Sequence, residues 1–137
     1  MQFDLFRIYF DFLIKGDFIM YKRYRGRSWH VVFPDVRDFE IFDDLDPAEI
    51  LDVVCDTWCS FPGRTAMCYF CMSTSGVYHL HCYFTDKIVF HPKVIRTLFP
   101  GVIAEPLKCS VYYFMLYMKK STDDILDFCV GVSEDVI

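Results

Sequence analysis

Two runs of apolar residues stand on either side of Ser73-Thr74-Ser75-Gly76, and that arrangement constrains the fold more than any other feature of the chain. The first run is TAMCYFCM over residues 65–72 and the second is VYHLHCYFT over residues 77–85. Runs rich in aromatic and β-branched residues, joined by a short loop containing glycine, read as a β-hairpin. Successive side chains on a strand point to opposite faces. His79 and His81 are therefore expected side by side on one face, with Leu80 and Cys82 turned to the core. Two neighbouring imidazoles can hold a divalent cation.

The remaining segments add elements around this hairpin. Residues 27–33 suit a strand, ended by Pro34. Asp46-Pro47-Ala48-Glu49 is a helix start, with Asp46 as N-cap, Pro47 in the first position and Glu49 placed to complete a capping box. That helix runs to about Trp58, and Ser60-Phe61-Pro62-Gly63 forms the turn after it. A short helix over 91–98, a break at Pro100-Gly101, a short strand over 102–104 and a largely buried helix over 110–120 complete the series. The order strand, helix, strand, strand, helix, strand, helix predicts an α+β fold of ferredoxin-like or RRM-like layout: a central antiparallel sheet with helices packed on it. On the last helix Tyr117 and Lys120 are three residues apart and share a face. A tyrosine beside a bound cation is a potential phosphoryl-attacking nucleophile.

At 137 residues the chain is expected to form one main domain, and 54% hydrophobic residues supply a substantial core. Aromatics are abundant, with fifteen Phe and nine Tyr, a composition expected of a chain that is poorly soluble or that meets a partner. There is no G-x-x-x-x-G-K-[ST] phosphate loop, so an ATPase of that type is excluded within this stretch. Seven cysteines, an odd number, give no paired framework and read as reduced, mostly buried thiols of an intracellular protein. A structural zinc site built from Cys55, Cys59, Cys68, Cys71 and Cys82 with the histidines is the competing metal reading. It is disfavoured because Cys68 and Cys71 fall on opposite faces of one strand.

The net charge of −5 does not favour nucleic acid, but the charge is unevenly spread. Lys22, Arg23, Arg25 and Arg27 form a basic block, whereas residues 35–56 are acidic. Residues 1–19 carry Asp4, Arg7, Asp11 and Lys15 at helical spacing among apolar residues, an amphipathic pattern with one narrow polar stripe. Four charges within that span exclude a standard transmembrane helix. We expect residues 1–19 to be an accessory extension, with a membrane-surface helix as the alternative, and residues 20–137 to be the working domain.

Taken together, three segments in order resemble the motifs of HUH endonucleases, the replication-initiator (Rep) domains of small plasmids and single-stranded DNA viruses. Ser28-Trp29-His30-Val31-Val32-Phe33-Pro34 resembles the first motif, His79-Leu80-His81 the metal-binding second, and Tyr117-Met118-Lys119-Lys120 the third, which carries the nucleophile. Leu98-Phe99-Pro100-Gly101-Val102-Ile103-Ala104-Glu105-Pro106 is similar to a segment that these proteins carry between the second and third motifs. The likeness covers about residues 26–121. It implies a metal-dependent nickase of single-stranded DNA that starts rolling-circle replication, with Tyr117 as nucleophile, Lys120 beside it and Mn²⁺ or Mg²⁺ as cofactor. Tyr113, one turn earlier, is a second candidate nucleophile. The metal ligands implied are His79, His81 and a carboxylate. The hairpin before His79 holds no acid where such proteins generally have one, which leaves Glu105 as the third ligand, with Asp123 as the weaker alternative. DNA contacts would fall to Lys22, Arg23, Arg25, Arg27 and Trp29, with His30 near them. The implied partners are an origin hairpin and the host helicase and polymerase, in the bacterial cytoplasm or a eukaryotic host nucleus. A catalytically weakened DNA- or protein-binding module on the same scaffold is the rival reading.

Overall fold

The computed structural model describes residues 26–107 and 110–133. The amphipathic segment 1–19, the boundary expected at residue 20, and Lys22, Arg23 and Arg25 lie outside these residues. Strand β1 (Gly26–Phe33) is followed by two short 3₁₀ turns, then helix α1 (Pro47–Cys59), strands β2 (Thr65–Met72) and β3 (Tyr78–Phe90), helix α2 (Lys93–Leu98), strand β4 (Ile103–Pro106), helix α3 (Val111–Lys120) and strand β5 (Asp124–Val132). The strands form one sheet in the order β4-β1-β3-β2-β5, and every neighbouring pair is antiparallel. The first four strands with α1 and α2 have the ferredoxin-like arrangement, so the α+β fold expected from the sequence is the one observed. Helix α3 and strand β5 add to it, with β5 extending the sheet beyond β2.

Local chemistry accounts for the framework. Asp46 accepts from the Glu49 N–H at 2.9 Å and Glu49 accepts from the Asp46 N–H at 3.1 Å, a full capping box with Pro47 in the first turn. The hairpin between β2 and β3 turns at Gly76, whose φ of 85° suits a residue without Cβ. Alternation on the strands then sorts side chains between two faces. Trp29, Val31, Phe33, Cys68, Phe70, Leu80, Cys82 and Phe84 meet Leu51, Val54, Cys55 and Trp58 of α1 and Ile95 of α2 in the main core. The opposite face carries Tyr69, Cys71 and Tyr83, covered by Phe114, Tyr117 and Met118 of α3. The central strand β3 is thus enclosed on both sides, and His79 and His81 lie on the α3 side.

Strand β5 approaches α1 closely. A Cβ added at Gly131 would come within 3.0 Å of Cys59 Sγ and 3.1 Å of Cys55 Cβ, so the glycine permits the contact. Burial pushes the Cys59 and Cys129 thiols up to about 12, which keeps them protonated beside this junction. Among the described residues six cysteines are free thiols, and Cys68 and Cys71 fall in different cores. No helix of the described residues is long and apolar enough to cross a membrane.

Candidate metal centre

The centre lies where the start of β3 meets the turn between α3 and β5. His79 and His81 come from β3. Asp123 comes from the turn, where its N–H donates to Ser121 Oγ at 3.1 Å. One donor atom from each of the three residues falls within 4.8 Å of the others, and among the described residues this is the one such group able to hold a metal ion. No cysteine belongs to it.

The tautomers can be worked out from the partners. His79 Nδ1 is 3.0 Å from the Val77 carbonyl oxygen, which can only accept, so Nδ1 carries a proton and donates. In the neutral ring Nε2 is then a lone pair, yet it stands 2.8 Å from Asp123 Oδ2, another lone-pair bearer. A cation resolves that opposition, either a proton on Nε2 or a metal ion shared by both atoms. His81 Nε2 faces the same carboxylate oxygen at 3.8 Å. A metal ion bonded at about 2.0–2.2 Å to tetrahedral nitrogen and oxygen donors holds them roughly 3.3 Å apart. The observed separations bracket that value, so this donor set fits a small divalent ion with modest adjustment. The His81 and His79 imidazoles beside it hold the Asp123 carboxyl down at about 2, against the opposing effect of burial.

Three aromatic side chains close around the pair. His30 on β1 is buried and brings Nε2 to 2.9 Å from His81 Nδ1. Burial, with His81 alongside, pulls its pKa well below the ordinary value. Tyr117 of α3 is buried with its ring edge-on to both His30 and His81, at centroid distances of 6.3 Å in each case. Phe114, one turn earlier, packs its edge against His30 at 5.1 Å.

The other residues singled out in the sequence are placed as follows. Glu105 is buried on β4, opposite His30 in the β1–β4 register, and is not part of the His79–His81–Asp123 group. Lys120 and Tyr113 are exposed on α3, one turn either side of Tyr117. Arg27 is exposed on β1, whereas Trp29 faces the main core with no exposed surface, its Nε1 donating to the Gly26 carbonyl at 3.2 Å. The weight that sequence reasoning gave Glu105 over Asp123 reflects distance along the chain. Asp123 is 44 residues from His79, and no local pattern joins them.

A ferredoxin-like α+β domain with a His-His-Asp group that could hold a metal ion is the class that fold and site define. No family model, curated protein or solved structure matches the chain.

Proposed function

We propose that the chain is an HUH-type replication initiator: an endonuclease that nicks single-stranded origin DNA through Tyr117, with Mn²⁺ or Mg²⁺ at His79, His81 and Asp123. The observation that supports this best is the position of Tyr117, edge-on to the His30 and His81 imidazoles and so adjoining the group that could hold the ion. In this reading the phenolic oxygen attacks the scissile phosphorus and the bond to the 3′ oxygen breaks. The phenol proton leaves to solvent and the departing 3′ oxygen takes one up. The products are a 5′-phosphotyrosine and a free 3′-hydroxyl, which a host polymerase can extend while a helicase unwinds the duplex. A bound divalent ion would polarise the phosphate oxygens, which is where negative charge builds during attack. Lys120, one turn from Tyr117, supplies a positive charge for the DNA backbone.

The test is incubation with Mn²⁺ and a labelled pool of single-stranded hairpins, run on a denaturing gel. A covalent protein–DNA band should appear with the wild type and vanish in Tyr117→Phe and in His79→Ala/His81→Ala. A band that survives in Tyr117→Phe would transfer the role to Tyr113. No cleavage by a folded, metal-loaded protein would favour a DNA- or protein-binding module, and of the two the net charge of −5 suits protein binding.

A further inference from the structure

We infer that His30 is a positioning residue: it accepts the Nδ1 proton of His81 and so fixes His81 in the one neutral tautomer whose Nε2 can bind a metal ion. The inference rests on the metal-binding part of the proposal above and is independent of DNA cleavage. A neutral imidazole carries its proton on one nitrogen only, and the nitrogen with the proton cannot be a ligand. His79 has its choice made by the Val77 carbonyl, which holds the proton on Nδ1 and leaves Nε2 facing Asp123. For His81 the orienting partner is a side chain. Its Nδ1 meets His30 Nε2 at 2.9 Å instead.

The two ring planes lie 27° from parallel, with centroids 5.1 Å apart. With that short gap between nitrogens, the contact is an edge-to-edge hydrogen bond rather than a face-to-face stack. One hydrogen lies between the two nitrogens. If it belongs to His81, His81 Nε2 is free to face the Asp123 carboxylate as a ligand and His30 keeps its own proton on Nδ1. If it belongs to His30, His81 is protonated on Nε2 and points that proton into the site. The surroundings hold the His30 ring in place beside His81. Its strand is paired on both sides, with His30 opposite Tyr83 on β3 and Glu105 on β4, and Phe114 and Tyr117 pack their ring edges against it. A ligand oriented by a second residue in this way is a general feature of metal sites, and removing the orienting group typically weakens metal binding by about 10–100-fold.

Two measurements decide the matter. The first is the ¹⁵N imidazole spectrum of metal-free wild-type protein at neutral pH, which reports each tautomer directly. His81 protonated on Nδ1 supports the inference, and His81 protonated on Nε2 overturns it. The second is Co²⁺ titration, by calorimetry and by the visible absorption of the bound ion. His30→Leu, which keeps bulk and loses the acceptor, should bind about 10–100-fold more weakly. His30→Gln, whose amide oxygen can occupy the position of Nε2, should recover most of that affinity. Wild-type affinity in His30→Leu, or a His30→Gln variant no better than His30→Leu, overturns the role. Should His30→Leu fail to fold, the wild-type spectrum and the His30→Gln titration still decide it. A wild type that binds no Co²⁺ overturns the metal centre itself. A protein that passes both measurements yet never cuts DNA overturns only the nickase reading.

Discussion

The two faces of the sheet are built by different rules. On the α1 side the interface is almost wholly apolar. Trp58 stacks on Phe84 with centroids 4.7 Å apart and planes 7° from parallel, and its Nε1 donates to the Thr65 and Thr85 carbonyls at 3.0 and 3.1 Å. On the α3 side a smaller apolar cluster rims a line of polar groups running from Val77 O through His79, Asp123 and His81 to His30. The first face binds the fold together by area removed from water. The second spends its burial on holding donors against acceptors, which lowers stability unless each is matched and which creates a place for a cation. The main core and the group that could hold a metal ion thus lie on opposite sides of the same central strand, β3.

The largest effect should come from breaking the apolar face. Trp58→Ala removes the stack on Phe84, both hydrogen bonds and the ring that Arg64 covers at 4.0 Å. We expect a loss of about 3–5 kcal/mol in urea unfolding, a large part of the 5–15 kcal/mol typical of a domain. Metal binding should then disappear only together with the fold. The complementary change on the other face is His79→Ala. There we expect a smaller loss in the metal-free protein, about 1–3 kcal/mol for the Asp123 carboxylate left without its partner, together with loss of metal-induced stabilisation. A wild type at one hundred times the dissociation constant gains about 2.7 kcal/mol from the ion, a gain that a chelator should reverse and His79→Ala should lack. A shift of equal size in both proteins would place the ion elsewhere.

A smaller effect separates the faces by pH. Asp123 is held at about 2, below the 3.8 of a free aspartate. The folded state therefore favours the carboxylate, and the contribution is present above about 4 and lost as pH falls through about 2. Unfolding curves over that window should show stability falling with acid in the wild type and a shallower slope in Asp123→Asn. Parallel slopes would mean that the imidazoles do not stabilise the carboxylate.

The same division explains what the sequence made legible. Capping at Asp46, the Gly76 turn and the alternation around His79 are local patterns, and each became the element expected of it. β3 runs on to Phe90 rather than stopping near Thr85, because Gly26 of β1 pairs with Phe90 across an irregularity in the ladder, a partner set by tertiary contact. β5 was not anticipated. Leu126, Phe128, Val130 and Val132 alternate along it, but they form an exposed apolar face, and an irregularity in its pairing with β2 falls between Phe70 and Cys71. Asp123 lies in the turn that leads into this strand, so without the strand Asp123 stood only as the weaker alternative to Glu105. His30 was equally hard to assign, since His81 is 51 residues away and only the β1–β3 register joins them. Apolar faces announce themselves in short-range periodicity, whereas a polar centre is assembled by pairings that no short window contains.

The smallest expected effect sharpens the comparison at the helix ends. α1 begins with a two-way capping box, but α3 begins with a single, longer bond, in which Ser110 Oγ accepts from the Tyr113 N–H at 3.4 Å. Asp46→Ala should therefore cost about 1 kcal/mol, and Ser110→Ala about 0.5 kcal/mol, at the low end of the range for lost caps. The functional consequences should rank the other way. α1 packs on the apolar face and does not touch the centre, so its loosened first turn should leave metal affinity unchanged. α3 carries Tyr117 over the imidazoles on only ten residues, and loosening its start should allow the ring to move relative to His30 and His81. Measured side by side, denaturant midpoints should fall further for Asp46→Ala, while on the proposed nickase reading the yield of covalent DNA adduct should fall further for Ser110→Ala. If adduct yield instead followed stability in both variants, the two faces would act as one cooperative unit and the separation of scaffold from site would fail.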